Sequence, residues 1–121
     1  MAATGKGTFQ PDSDVHISYE DQQKINKFAR LNAKVDDFKD ELKVKQNDVK
    51  NLEDAVEELS LTDDSEKIPY LKSLEEAKTK KENEMGELLG KIDELKSQMS
   101  TLKAHLYGKF GSHINLENEE E

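Results

Sequence analysis

The stretch FARLNAKVDDFKDELKVKQNDVKNLEDAVEEL, residues 28–59, decides the fold. Read in sevens, it places Phe28, Val35, Leu42, Val49 and Val56 at one position and Leu31, Phe38, Lys45, Leu52 and Leu59 three residues later. Of these ten side chains only Lys45 is not apolar. A period of 3.5 held over about five heptads makes a narrow seam that supercoils around a partner helix. The spacing predicts a first helix over about 19–61, opened by Ser18. Its hydroxyl can accept a free backbone N–H, and Glu20 and Asp21 suit the positive end of the helix dipole. Left alone, such a helix would keep its apolar stripe in water.

The partner lies further along the same chain. The repeat stops at Thr62-Asp63-Asp64-Ser65, and Pro69 disfavours helical backbone at Ile68. A connector is therefore expected over 62–73 and a second helix over about 74–108. Its seam is Met85, Leu88, Ile92, Leu95, Met99, Leu102 and Leu106. Lys78, Lys81 and Glu84 fall near the start of that seam, and Gly86 and Gly90 each cost about 1 kcal/mol relative to Ala. The first half of the second helix is thus expected to be the looser one. Gly108 or Gly111 supplies the stop. A short connection returns the second helix against the first. The expected fold is all-α, an antiparallel two-helix coiled-coil hairpin, with at most a remnant strand over 68–71. Residues 18–111 form this domain, between a flexible segment at 1–17 and an acidic tail at 112–121.

Composition agrees. The chain has 121 residues, 33% hydrophobic and 37% charged, against about 45–50% and about 25% in ordinary soluble domains. Ala, Glu, Lys, Leu and Arg make up 54 of the 121, as long helices require. A net charge of −9 with lysines scattered among acids argues against a nucleic-acid partner. No window approaches the ~18 apolar residues of a membrane span, and the first residues lack the apolar core of a signal peptide. The reading is a soluble, cytoplasmic chain with no nucleic-acid or membrane partner.

Chemistry is not indicated. There is no cysteine for a disulfide or a thiolate site. His16, His105 and His113 have no companion at metal-binding spacing. Asp12-Ser13-Asp14 begins like a calcium loop, but Ile17 stands where its Gly should be and Gln23 where its Glu should be. Gly5-Lys6-Gly7-Thr8 lacks the spacing of a phosphate-binding loop. No enzyme activity, metal or other cofactor is expected.

What remains is apolar. Phe9, Val15, Ile17 and Tyr19 precede the first helix, and Tyr107, Phe110, Ile114 and Leu116 close the second. An antiparallel hairpin brings both groups to the end away from the turn. There they either staple that end shut or stand exposed as a tip that holds other apolar surface. The tip reading names Ile17, Tyr19, Tyr107, Phe110, Ile114 and Leu116 as client-binding residues.

Several blocks resemble prefoldin, in particular its β-class subunits. They are Glu20-Asp21-Gln22-Gln23-Lys24-Ile25-Asn26-Lys27-Phe28-Ala29-Arg30, then Asn51-Leu52-Glu53-Asp54-Ala55, then Asp63-Asp64 with Ile68-Pro69-Tyr70. Leu106-Tyr107-Gly108-Lys109-Phe110-Gly111 and Ile114-Asn115-Leu116-Glu117 complete the set. The likeness runs over about residues 15–117. It implies an ATP-independent co-chaperone of six subunits, two α-class and, beside this chain, three further β-class. That assembly captures unfolded actin and tubulin and passes them to the cytosolic chaperonin. The resemblance also implies subunit assembly through Ile68, Pro69, Tyr70 and Leu71. In the family this block runs on into a β-hairpin; here Leu71-Lys72-Ser73 leads at once into Leu74-Glu75-Glu76-Ala77, so the connector is shortened. The alternative is a structural coiled coil that only oligomerises or scaffolds.

Overall fold

The computed structural model describes residues 16–63 and 65–116. The expectations that fall on residues 1–15, on Asp64 and on 117–121 lie outside the described residues. They include the flexible N-terminal segment up to Val15, Phe9, the two rejected loop motifs and the Glu-rich end of the tail. Helix α1 spans Tyr19–Ser60, 42 residues, and α2 spans Lys67–Phe110, 44 residues. At ~1.5 Å per residue each is about 65 Å long. A single 3-10 turn, Gly111–His113, follows α2. The two helices pack antiparallel as an all-α hairpin, and the described residues hold no strand. The chain divides into two compact units: residues 37–92 around the turn, and, among the described residues, 16–36 with 93–116.

Around the turn, the end of α1 tightens. The N–H groups of Leu61 and Thr62 donate to the carbonyls of Glu58 and Leu59, at 3.2 Å each. The last turn of α1 carries no basic residue of its own. Lys67, the first residue of α2, takes that place: its Nζ donates to the carbonyl oxygens of Ser60 at 3.1 Å and Thr62 at 2.6 Å. A cation there meets the negative end of the α1 dipole and the carbonyls no helical N–H can reach.

Helix α2 therefore starts seven residues earlier than the sequence predicts, at Lys67 rather than near Leu74. The connector contracts from 62–73 to 61–66, and the remnant strand over 68–71 is absent. Ile68, Pro69, Tyr70 and Leu71 form the first helical turn instead. The physical reason is position. First-turn N–H groups have no intrahelical acceptor, so proline loses nothing there, and its fixed φ suits the helix.

In this unit Phe38, Leu42, Val49, Leu52, Val56 and Leu59 are half-buried on α1, opposite half-buried Met85 and buried Leu88 and Ile92 on α2. The charged residues that interrupt the seam meet each other. Lys45 reaches Glu84 at 2.9 Å, Lys81 reaches Asp48 at 3.6 Å and Lys78 reaches Glu53 at 3.2 Å. The Lys91 ammonium stands 5.7 Å above the Phe38 ring. Partners fall along α2 as they rise along α1, as an antiparallel register requires. Hydrogen bonding to Glu84 raises the pKa of Lys45, and the same bond lowers that of Glu84. Partly exposed pairs of this kind add little stability; their effect is on alignment.

In the other unit the seam shifts. The buried positions of α1 are Asp21, Ile25, Phe28, Asn32 and Val35, separated by four, three, four and three residues. Leu31, assigned to the seam by the sequence, is only half-buried, while Asn32 is 9% exposed. A template of apolar residues alone passes over Asn32 and selects Leu31 in its place. From Val35 to Phe38 a second step of three follows the first, a break that overwinds a coiled coil locally. Leu95, Met99 and Leu102 on α2 are half-buried and Leu106 is fully buried.

Candidate functional site at the end away from the turn

The end of α2 owes its geometry to a glycine. Gly111 has φ 59°, a left-handed conformation in which a Cβ would be strained, and it ends the helix after Phe110. One 3-10 turn later the chain is extended at Ile114, with φ −132° and ψ 145°. Extended backbone turns successive side chains to opposite sides. Ile114 is accordingly 4% exposed, Asn115 faces solvent and Leu116 is 1% exposed.

Ile114 and Leu116 pack with Ile25, Phe28, Leu106 and Phe110 in one cluster, and Ile17, Met99, Leu102 and Tyr107 lie against it half-buried. The backbone N–H of Leu116 donates to Tyr107 Oη at 2.9 Å. Residues 111–116 thus lie as a strap across the helix ends.

The expected tip takes a different form from a surface open to water. Phe110, Ile114 and Leu116 are buried, Ile17 and Tyr107 half-buried, and of the six named residues Tyr19 alone is exposed, at 78%. The reason is that Gly111 reverses the chain, so apolar groups beyond the helix fold onto its last turns. The large apolar groups most open to water at the other end are Leu61, Ile68 and Tyr70, at 80%, 67% and 64%. Of the proposed assembly residues, Ile68, Pro69 and Tyr70 are therefore exposed and Leu71 half-buried.

Polar groups lock the same end. Ser18 caps α1: its Oγ accepts the Asp21 N–H at 3.0 Å, and its carbonyl accepts the Gln22 N–H at 3.0 Å. The Asp21 carboxylate is itself buried and is met from α2 by Lys109 and, at 3.6 Å, by His105 Nε2. The hydrogen bond from Lys109 holds the Asp21 carboxyl below the usual carboxylate range, against an opposing push from burial. Sequence reasoning missed this contact because Asp21 and Lys109 stand 88 positions apart. It missed Ile25 too, although Ile25 lies three residues before Phe28 and so fits a heptad.

Among the described residues no group of three or more His, Asp or Glu side chains could hold a metal ion, and no helix is long and apolar enough to cross a membrane.

Known proteins resemble this chain along nearly all of it. The family model "Prefoldin subunit" matches residues 22–72. A Drosophila melanogaster protein named "Probable prefoldin subunit 4" is 47% identical over 134 aligned positions, covering 99% of this chain and 97% of the relative. "Prefoldin subunit 4" of Homo sapiens is 39% identical over 135 positions, covering 99% of each. That of Saccharomyces cerevisiae is 31% identical, covering 87% of this chain and 92% of the relative. The Drosophila alignment has 134 positions against 121 residues here, so at least 13 positions of it have no counterpart in this chain. No solved structure matches. A helical hairpin with relatives of 39–47% identity along almost its whole length places this chain in the prefoldin family.

Proposed function

We propose that this chain is a subunit of a cytoplasmic, ATP-independent co-chaperone that captures unfolded actin and tubulin and delivers them to the cytosolic chaperonin. The carrying observation is that relatives named prefoldin subunit 4 align with it from end to end. In this reading the chain joins two α-class and three further β-class subunits through the turn end. Ile68, Tyr70 and Leu61 stand exposed there, where neighbouring subunits would bury them. Flexible hairpin ends pointing the same way add weak apolar contacts to one client by multivalency. Reversible apolar burial consumes no nucleotide, and a tighter receptor takes the client by competition.

Native mass spectrometry of the full chain mixed with the other five subunits tests assembly, and suppression of actin aggregation by the product tests capture. A six-subunit particle that delays aggregation is the expected result. The same particle without any effect on aggregation would favour the second reading, a purely structural coiled coil. The buried Phe110, Ile114 and Leu116 support that reading, since they also staple the hairpin end.

A further inference from the structure

The strap shows what its binding surface recognises. Residues 114–116 lie extended on a face made by Ile25 and Phe28 of α1 and Leu106 and Phe110 of α2. Two features of the contact are independent of strap sequence. Apolar side chains two residues apart enter the cluster while the residue between them is exposed, an apolar–x–apolar spacing. The main-chain anchor, Leu116 N–H to Tyr107 Oη, is available to any residue but proline. Non-native chains present such segments wherever a strand-forming stretch has not yet paired.

We infer that extended apolar–x–apolar segments of other polypeptides bind this face in place of the strap, and that residues 112–116 are a built-in competitor for it. The inference rests on the capture reading above and names its ligand class. It explains how a chain with a closed end can hold clients: the surface is full until a segment of the same form displaces the strap. A competitor tied to the site lowers the apparent affinity for an outside ligand by the fraction of time the site is free.

The test uses the full chain and a fluorescein-labelled peptide of strap sequence, Gly-Ser-His-Ile-Asn-Leu-Glu. A control peptide carries Ser in place of the Ile and Leu. One protein variant combines Ile114→Ser with Leu116→Ser, which weakens the strap and leaves the face intact. A second, Gly111→Val, leaves residues 112–116 and the face side chains unchanged but puts a β-branched residue at φ 59°. Far-UV circular dichroism confirms the helices in each. Fluorescence anisotropy is expected to show weak peptide binding to the parent, binding at least about ten-fold tighter in both variants, and none of the control peptide. Equal binding by parent and both variants, or equal binding of the control peptide, overturns the inference. Tighter peptide binding with no gain in suppressing actin aggregation upholds the surface and refutes the capture reading.

Discussion

Replacing Ile25 by Ala and, separately, Leu31 by Ala sets the two readings of the α1 seam against each other. The apolar heptad assigns Leu31 to the seam and leaves Ile25 out. The structure buries Ile25 completely and leaves Leu31 half-exposed. Each substitution removes three carbons, worth ~0.8 kcal/mol apiece when fully buried, or about 2.4 kcal/mol. At Ile25 a cavity is left among Phe28, Leu106 and Phe110, which brings the loss to about 3–4 kcal/mol. At Leu31 about half the transfer term applies and solvent fills the gap, so the loss is about 1 kcal/mol. For a chain of 121 residues each kcal/mol lowers the melting temperature by about 4 °C. Ile25→Ala should therefore melt roughly 8–12 °C below Leu31→Ala when followed by far-UV circular dichroism. Hydrogen exchange should place the lost protection in residues 16–36 and 93–116. Equal melts, or a larger loss for Leu31→Ala, would refute the shifted register.

Two further perturbations address polar contacts. Asp21 has its folded pKa lowered by Lys109, so its contribution is complete above the unfolded carboxylate value of about 3.9 and is lost as pH falls through the folded value. Asp21→Asn should melt below the parent at pH 7, with the gap closing on acidification; a gap that stays constant from pH 7 to pH 2 counts against the ion pair. Lys67→Met removes the cation on the Ser60 and Thr62 carbonyls and should cost about 0.5–1 kcal/mol, a fall of a few degrees. If the melt instead survives in low salt without change, that contact contributes nothing.

The heptads at Leu42–Leu59 and Met85–Leu106 were legible because in those stretches an apolar residue at helical spacing has one place to go. Near the start of α1 the rule failed: Asn32 occupies a buried site, and neighbouring Leu31 offered a better match by hydrophobicity alone. Pro69 misled in the same local way. Its restriction on Ile68 is a backbone preference of modest size, while the chain gains a longer helix whose first residue, Lys67, also closes α1. The apolar composition of the far end was legible, but its closure was not. That depends on the sign of φ at Gly111, and glycine's presence permits a reversal without requiring one. The Asp21–Lys109 contact was invisible, since no periodic pattern links residues so far apart.

The position of Lys67 has a consequence for the order in which the chain acquires its structure. Its contact with Thr62 closes a loop of five residues, whereas Lys45–Glu84 spans 39 positions and Asp21–Lys109 spans 88. In an antiparallel hairpin every residue of distance from the turn adds two to the separation of partners. The entropy of closure rises with that separation, and short-range contacts form on the fastest timescale. Helix pairing then starts at the turn and runs outward like a zip. The strap and the Asp21 lock come last. Pulse-labelled amides near residues 56–71 should be protected before those near 21–28 and 106–116. Simultaneous protection would exclude this order. The end proposed for client capture is thereby the part of the molecule whose own assembly is completed last.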